Sequence, residues 1–215
     1  MIEIPLIERA RQEPETTFHL GIMGGTFDPI HFGHLVTAEQ AREAFHLDEV
    51  LFMPTNDPIR KQGKQVTPAR TRLEMVELAV RSNSFFSSSD LEIARGGVTY
   101  TVDTLDELRD LYPDNVVFYF ITGADAVLDI LTWRDASRIA SMAVLIGATR
   151  PGYDLESARK QHEASGFRFD VRYLEIPALA ISSTDLRTRV SQGKSIRYLT
   201  PGIVLEFIRE EGLYR

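Results

Sequence analysis

Two histidines lie three residues apart, shortly after a pair of glycines: the stretch from Gly24 to His34 reads Gly-Gly-Thr-Phe-Asp-Pro-Ile-His-Phe-Gly-His. Glycines at the end of an apolar run predict a turn at positive φ that brings the backbone close to a ligand. His31 and His34 share one face of the first turn of the helix that follows, so both can donate to the same phosphoryl oxygens, and Gly33 leaves room beside them. The free N–H groups and dipole of that helix also attract phosphate. The stretch therefore predicts a phosphate site.

The same residues have simpler explanations. A Gly-Gly-Thr sequence more often forms an ordinary turn between a strand and a helix, without a ligand. His31 and His34 could also be two metal ligands, but the chain has five histidines and no cysteine, and no third ligand stands at an obvious spacing. The stretch also lacks both the G-x-G-x-x-G pattern and the lysine-containing P-loop pattern. A nucleotide would therefore be bound in another way.

A second candidate stretch reads Ile-Ser-Ser-Thr-Asp-Leu-Arg from Ile181 to Arg187. Ser182, with Asp185 three residues later, predicts the N-cap of a helix. Arg187 lies one turn beyond Ser183 on the same face, where its long side chain can reach back to an anion at the N-terminus. The alternative is an ordinary cap with a solvated arginine.

Strand-like and helical patterns alternate along the chain. The predicted strands are 18–23, 50–53, 85–93, 116–121, 143–146 and 171–176. The predicted helices are 35–45, 68–80, 105–112, 126–131, 135–141, 155–164 and two closing segments from Thr184 and Pro201. This alternation predicts an α/β fold, a doubly wound domain whose mainly parallel sheet is covered by helices on both faces. We expect a single domain over 18–215, with 116–121 as a central strand, a loose or disordered arm over 1–17 and a polar loop over 55–67.

Composition excludes several classes of function. Lys and Arg total 24 against 31 Asp and Glu, for a net charge of −7, which disfavours a dedicated nucleic-acid binder. Zero cysteines exclude a disulfide framework, a thiolate zinc site and a cysteine nucleophile. With neither a signal-peptide pattern nor an apolar run long enough to span a membrane, we expect a cytoplasmic protein with no membrane partner.

Taken together, the two candidate stretches resemble the paired motifs of the HIGH-type nucleotidyltransferases, whose fold is Rossmann-like. The likeness runs from about Phe18 to Arg215. Five further segments are similar to the bacterial nicotinate-mononucleotide adenylyltransferases of that family: Tyr100–Leu105, Thr122–Asp125, Trp133, Arg150–Tyr153 and Glu211–Arg215. The resemblance implies transfer of AMP from ATP to nicotinate mononucleotide, giving nicotinate adenine dinucleotide and pyrophosphate in NAD biosynthesis. The substrate phosphate is itself the nucleophile, so the protein must align two polyanions and spread the developing charge.

The resemblance also implies a role for each matching residue. It implies catalytic roles for His31, His34 and Arg187. The residues it places at ATP are Gly24, Gly25, Thr26, Phe27, Gly33, Gly123, Asp125, Ile181, Ser182 and Ser183. Those it places at the nicotinate nucleotide are Asp28, Lys61, Tyr100, Thr101, Trp133 and Arg150, with Trp133 stacking on the pyridine ring. Mg²⁺ is expected to arrive on the ATP phosphates, without protein ligands.

One departure from the family concerns the polar loop, where Pro58-Ile59-Arg60-Lys61 stands in place of Pro-Pro-His-Lys. This puts the closure of the loop and its pH dependence in question more than the reaction. Trp133 has the alternative of a plain core tryptophan. The rival functions are a phosphopantetheine or nicotinamide-mononucleotide transferase of the same superfamily and a non-catalytic ATP sensor. The oligomeric state stays open, a homo-oligomer included.

Overall fold

A computed structural model of the chain describes residues 5–58, 65–149, 160, 164, 169–177 and 179–215. Its strands are β1 (Phe18–Gly25), β2 (Glu49–Pro54), β3 (Phe86–Ser88), β4 (Val116–Gly123), β5 (Ala143–Thr149) and β6 (Val171–Glu175). They form one six-stranded sheet in the order β3-β2-β1-β4-β5-β6. The pairings β1–β4, β4–β5 and β5–β6 are parallel. The predicted α/β fold with a parallel sheet is confirmed, and β4 is central as expected.

Helices alternate with these strands. They are α1 (Leu6–Gln12), α2 (Phe32–Ala44), α3 (Ala69–Val80), α4 (Leu91–Arg95), α5 (Thr101–Leu111), α6 (Ala124–Asp129), α7 (Ala136–Met142), α8 (Ser183–Ser191) and α9 (Gly202–Glu210). A single 3₁₀ turn, Ile130–Thr132, follows α6. Among the described residues, no helix is long and apolar enough to cross a membrane.

The types of side chain in β4 and α5 explain why these segments form a buried strand and an amphipathic helix. β4 reads Val-Val-Phe-Tyr-Phe-Ile-Thr-Gly, and its run of β-branched and aromatic residues suits a strand that is buried on both faces. α5 buries Val102, Leu105 and Leu108, which recur at the spacing of one helical face. Parallel strands end at a common edge of the sheet, so the loops after β1 and β4 are where a ligand site is expected.

Contacts divide the chain into two compact units that are interleaved in sequence. The first unit comprises Met1–Gly24, Ala38–Leu51 and Tyr100–Ala178, and the second comprises Gly25–Thr37, Phe52–Thr99 and Leu179–Arg215. Each unit has its own buried side chains. Phe18, Leu20, Phe118 and Leu145 are among those of the first unit. Phe52, Met75, Val76, Leu186 and Val204 are among those of the second.

The N-terminal segment is helical where the sequence predicts a loose arm. α1 buries Leu6 and Ala10, both at most 2% exposed. The Asn115 side-chain amide donates to the carbonyl oxygens of Ala10, Glu13 and Thr16 at 2.8–3.0 Å. The segment is short and its charges obscure the helical period, so these contacts could not be read from it. The boundary between an arm over 1–17 and a domain over 18–215 stays a prediction.

Two further elements differ from expectation. The strand predicted over 85–93 stops at Ser88, because the Ser89 hydroxyl accepts the Leu91 N–H at 3.2 Å and α4 begins there. α3 begins at Ala69, one residue after the predicted start at Pro68, which is its N-cap instead. The helix predicted over 155–164 lies outside the described residues except for Lys160 and Ala164, which are both helical.

Candidate active site

The turn between β1 and α2 carries the first candidate stretch, and its backbone corrects one sequence prediction. Gly24 and Gly25 do not adopt positive φ: β1 continues through Gly25, and the left-handed residue is Phe27, at φ 48°. A Cβ on Gly25 would lie 2.9–3.2 Å from the Phe27 ring. Gly25 is therefore required for close packing of Phe27, which is 2% exposed. Phe27 could meet a nucleotide only through its backbone.

Three successive carbonyl groups of this turn are held by residues from the end of the chain. The Arg187 guanidinium donates to the Asp28 carbonyl at 2.7 Å, the Ser183 hydroxyl to the Pro29 carbonyl at 2.9 Å, and the Thr200 hydroxyl to the Ile30 carbonyl at 2.8 Å. These bonds bring together the two candidate stretches, which are more than 150 residues apart in sequence. Since each donor satisfies a turn carbonyl, the turn is fixed before any ligand binds.

The two histidines form a stacked pair. Their ring centroids lie 3.8 Å apart with the planes at 22°, and the Phe27 ring meets His34 edge-on at 5.0 Å. The His31 backbone N–H donates to Nδ1 of His34 at 3.2 Å, which places the proton of neutral His34 on Nε2. A Cβ on Gly33 would lie 3.0 Å from the His31 ring. Gly33 is therefore needed for this stack, as predicted.

His31 is the more buried of the pair, at 6% exposure. Burial lowers its pKa from 6.5 to about 4, so the ring is neutral at pH 7. Its Nδ1 atom is inaccessible and has no hydrogen-bond partner among the described residues. A ligand would therefore meet this ring through Nε2, as a neutral donor rather than as a charge.

The start of α8 carries the second candidate stretch. Ser182 is its N-cap, and its hydroxyl accepts the Asp185 N–H at 3.1 Å, as predicted. The Ser183 hydroxyl already donates to Pro29, so an anion here would be met by free backbone N–H groups of the first turn. The carbonyl of Ile181 lies 3.7 Å from the Cβ position of Gly33. The segment therefore lies beside the histidine turn.

Arg72 of α3 is a component of this region that the sequence does not reveal. Its side chain is 1% exposed and donates to four carbonyl oxygens, those of Thr26, Thr55, Asn56 and Thr67, at 2.6–3.0 Å. Burial lowers the pKa of the guanidinium, and the nearby Asp28 carboxylate opposes that shift. Arg72 ties the histidine turn to residues on both sides of the polar loop.

Asp28, predicted to contact the nicotinate nucleotide, is 2% exposed and bonded within the protein. Its Oδ1 accepts the Tyr214 hydroxyl at 2.7 Å, and its Oδ2 lies 3.4 Å from the Thr67 N–H. The structure thus gives the carboxylate an internal set of partners. No local pattern around residue 28 or 214 signals a contact that spans 186 positions.

The first unit holds the residues expected at the pyridine ring. Tyr100 immediately precedes α5 and Thr101 opens it, so the free N–H groups of that helix begin here. Arg134, which no sequence motif singles out, lies with its guanidinium carbon 4.7 Å from the centre of the Tyr100 ring and Nη1 3.4 Å from Asp103. Trp133 is partly exposed and meets Phe120 edge-on at 6.2 Å. It is therefore not a fully buried core tryptophan.

Three predicted ATP contacts also lie in the first unit. Gly24 is exposed, and a Cβ there would make an ordinary 3.7 Å contact with the Phe120 ring. Gly123 is the N-cap of α6 and is open on its Cβ side, with Asp125 in the first turn of the helix.

Three other residues singled out in the sequence, Arg60, Lys61 and Arg150, lie outside the described residues. Within the described part of the chain, no cluster of three His, Asp or Glu side chains could hold a metal ion.

Comparison with known proteins defines the class to which this site belongs. Residues 22–189 match the family model described as cytidylyltransferase-like. The chain belongs to that nucleotidyltransferase family. The matched residues include both candidate stretches.

Proteins of similar sequence indicate which nucleotidyltransferases this chain resembles. The chain is 52% identical to the "Probable nicotinate-nucleotide adenylyltransferase" of Desulfitobacterium hafniense (strain Y51), over 91% of this chain and 95% of that protein. It is also 52% identical to the protein of the same name from Moorella thermoacetica, over 91% of each chain. The resemblance to the nicotinate-mononucleotide branch is confirmed.

Solved structures support the same fold. The chain resembles Plasmodium falciparum nicotinic acid mononucleotide adenylyltransferase complexed with NaAD, with a TM-score of 0.75 and 23% identity over 92% of this chain and 97% of that one. The complex of that enzyme with APC gives a TM-score of 0.73 at 22% identity. The Rossmann-like fold expected from the sequence is confirmed.

Proposed function

We infer that the chain transfers AMP from ATP to nicotinate mononucleotide, producing nicotinate adenine dinucleotide and pyrophosphate in NAD biosynthesis. The curated relatives that share half of its residues carry the name of this activity. The observation in the structure that carries the proposal is the joining of the His31–His34 turn to the start of α8. This connection places the N–H groups at the start of α8 and the guanidinium of Arg187 beside the histidine turn, whose carbonyl oxygens already accept hydrogen bonds.

The reaction needs alignment more than it needs a base. An oxygen of the nicotinate mononucleotide phosphate attacks the α-phosphorus of ATP, and the bond from that phosphorus to the oxygen bridging to the β-phosphate breaks. Negative charge then grows on the departing pyrophosphate. Catalysis therefore depends on donors that already point at the phosphates.

We assign three residues to that charge. Nε2 of His31 and Nε2 of His34 donate to the ATP phosphates as neutral imidazoles, which follows from the lowered pKa of His31 and the bond to Nδ1 of His34. Arg187, whose side chain is 29% exposed, meets the β- and γ-phosphates that leave. The N–H groups after Ser182 assist it.

The remaining ATP contacts fall into two sets. Gly25, Thr26, Phe27 and Gly33 offer backbone groups from the turn, and Ile181 adds its own from the segment beside it. In the first unit, Gly24, Gly123 and Asp125 are assigned to the nucleoside part of ATP.

The acceptor is recognised by residues of the first unit. Trp133 stacks on the pyridine ring, and Tyr100 and Thr101 meet the nicotinate carboxylate through N–H and hydroxyl donors. A nicotinamide would need an acceptor for its NH₂ group, so a site that offers only donors disfavours it. Lys61 and Arg150 are assigned to the phosphate of the acceptor. Asp28 is assigned to orienting the histidine turn, because its carboxylate is bonded within the protein.

Mg²⁺ is proposed to arrive with ATP. When bound, it neutralises phosphate charge and polarises the transferred phosphoryl group. The donors near the histidine pair are N–H groups and a guanidinium, which suit phosphate oxygens rather than the metal itself. We also propose that the reaction takes place in the cytoplasm.

The test is pyrophosphate release from ATP and Mg²⁺ with three acceptors in separate reactions: nicotinate mononucleotide, nicotinamide mononucleotide and 4′-phosphopantetheine. Release with the first alone is expected. Faster release with either of the others would assign the chain to a rival transferase. ATP binding without release in any reaction would favour the sensor function.

A further inference from the structure

Tyr214, in the segment Glu211–Arg215, contacts the candidate active site, although the resemblance implies no role for it. Its hydroxyl donates to Asp28 Oδ1 at 2.7 Å, and the same oxygen lies 3.9 Å from the sulfur of Met75. Burial raises the pKa of Tyr214 well above its usual range. The hydroxyl therefore stays protonated and donates at every working pH.

Asp28, which accepts this bond, also contacts Arg187. The Asp28 carboxylate is 2% exposed, and its Oδ2 lies 4.0 Å from Nη1 of Arg187. The same nitrogen donates to the Asp28 carbonyl at 2.7 Å. Asp28 therefore contacts Nη1 of Arg187 through both its carboxylate and its backbone, while Nη2 lies 3.4 Å from the Thr184 hydroxyl.

A buried carboxylate needs its oxygens bonded, since an unpaired one is costly. Without the Tyr214 hydroxyl, Oδ1 would lose its short donor. The carboxylate would then rotate toward the remaining donors, the Thr67 N–H and Arg187. We expect this rotation of the carboxylate to shift the guanidinium of Arg187 from its present position.

We propose that Tyr214 is a positioning residue for ATP: its hydroxyl fixes Asp28, and Asp28 fixes the guanidinium of Arg187 for the departing phosphates. The inference rests on the proposed function, which gives Arg187 that role. It makes the end of the chain a determinant of ATP affinity.

The test compares two tyrosine variants. Tyr214→Phe removes the hydroxyl alone, and we expect the KM for ATP to rise about tenfold while the KM for nicotinate mononucleotide stays within twofold. Tyr198→Phe removes the hydroxyl of a tyrosine of the same unit that is 83% exposed, and it should change neither constant. A purely structural role for Tyr214 would instead lower kcat with both KM values unchanged, which would overturn the proposal.

Met75→Leu is the packing control. It alters another neighbour of the hydroxyl, at 3.9 Å, but leaves the bond to Asp28, so the KM for ATP should not change. If Met75→Leu raised this KM as much as Tyr214→Phe does, packing around the ring would be the cause and the proposal would be wrong.

A double-mutant cycle with Arg187→Lys tests the route of the effect. If Tyr214 acts through Arg187, Tyr214→Phe should cost less than threefold in ATP affinity in the Arg187→Lys background. A tenfold loss in both backgrounds would contradict the proposal.

The cycle is measured as the Kd for ATP by equilibrium binding, in addition to turnover. Failure of the wild-type protein to make the dinucleotide would then end the proposed function, while the coupling of Tyr214 to Arg187 would still be decided by the four Kd values.

Discussion

The histidine turn of the second unit, to which we assign phosphate binding, and the residues of the first unit that we assign to the pyridine ring are built in different ways. In the second unit, Asp28 and Arg72 are 2% and 1% exposed, and each side chain has several polar partners. In the first unit, Trp133 is partly exposed, and Arg134 forms an ion pair with Asp103 while 52% of its side chain is exposed.

The difference follows from the task that we assign to each region. A site that stabilises charge in a transition state gains most from donors held rigidly before the substrate arrives. A site that recognises a flat ring gains from aromatic surface, which needs little fixed polar geometry. Changes in the second unit should therefore affect stability, kcat or the affinity for ATP, whereas changes in the first unit should affect the KM of the acceptor.

The largest effect is expected from Arg72→Met. This change leaves four backbone carbonyls without their shared donor, and the free energy of unfolding should fall by about 3–5 kcal/mol. Urea titration followed by circular dichroism measures it. Arg70→Met, on the same helix, removes a side chain that is 65% exposed and should cost less than about 1 kcal/mol. Equal losses in the two variants would contradict the role given to Arg72.

His34→Ala should lower kcat by about 10²–10³, because one preorganised donor to the transition state is worth ~2.7–4 kcal/mol. The fold should persist, since His34 is partly exposed. Steady-state kinetics and thermal unfolding measure the two effects. His46→Asn changes an exposed histidine beyond the end of α2 and should leave kcat intact. Near-normal turnover in His34→Ala would remove this residue from the catalytic assignment.

His31 should make stability depend on pH between about 4 and 6.5. Its pKa is lowered in the folded protein, so its stabilising contribution is complete above pH 6.5 and is lost as the pH falls toward 4. The loss should be about 3 kcal/mol, from 1.36 kcal/mol per pKa unit. Unfolding free energies at several pH values in His31→Asn should lack this component, while His46→Asn should keep it. The same slope in His31→Asn and the wild type would refute the burial of a neutral His31.

Trp133→Ala should have the smallest effect and a different signature. Loss of the stacked ring should raise the KM for nicotinate mononucleotide about tenfold, as expected from ~1–3 kcal/mol for stacking of a base on an aromatic ring. The KM for ATP serves as the internal control, and Trp133→Phe should restore most of the affinity. A change in the KM for ATP alone would contradict the stacking role.

Local patterns were enough to predict several features of this site. The His31–His34 spacing, the Ser182 cap and the alternation of strands and helices each depend on residues a few positions apart. For the same reason, the family resemblance could be found from short motifs. These features survive in the structure because tertiary contacts reinforce them.

Other features depend on contacts that no local pattern encodes. From the sequence alone, Arg72 in α3 would be taken for a solvated arginine. Its burial depends on the carbonyl groups of Thr26 and Thr55, which are distant in sequence. Phe27 rather than glycine takes the left-handed conformation, because packing of its ring against Gly25 outweighs the usual preference. The contact between Tyr214 and Asp28 spans 186 positions of the sequence.

The most direct test of the account follows the two ends of the triphosphate. With nicotinate mononucleotide and ATP labelled with ³²P at the α-phosphate, the label should appear in the dinucleotide; with the label at the γ-phosphate, it should appear in pyrophosphate. Both results together require attack at the α-phosphorus, which the account places beside the His31–His34 turn. Release of the γ-label as inorganic phosphate, with the α-label retained in ADP, would contradict adenylyl transfer and the roles assigned to both regions.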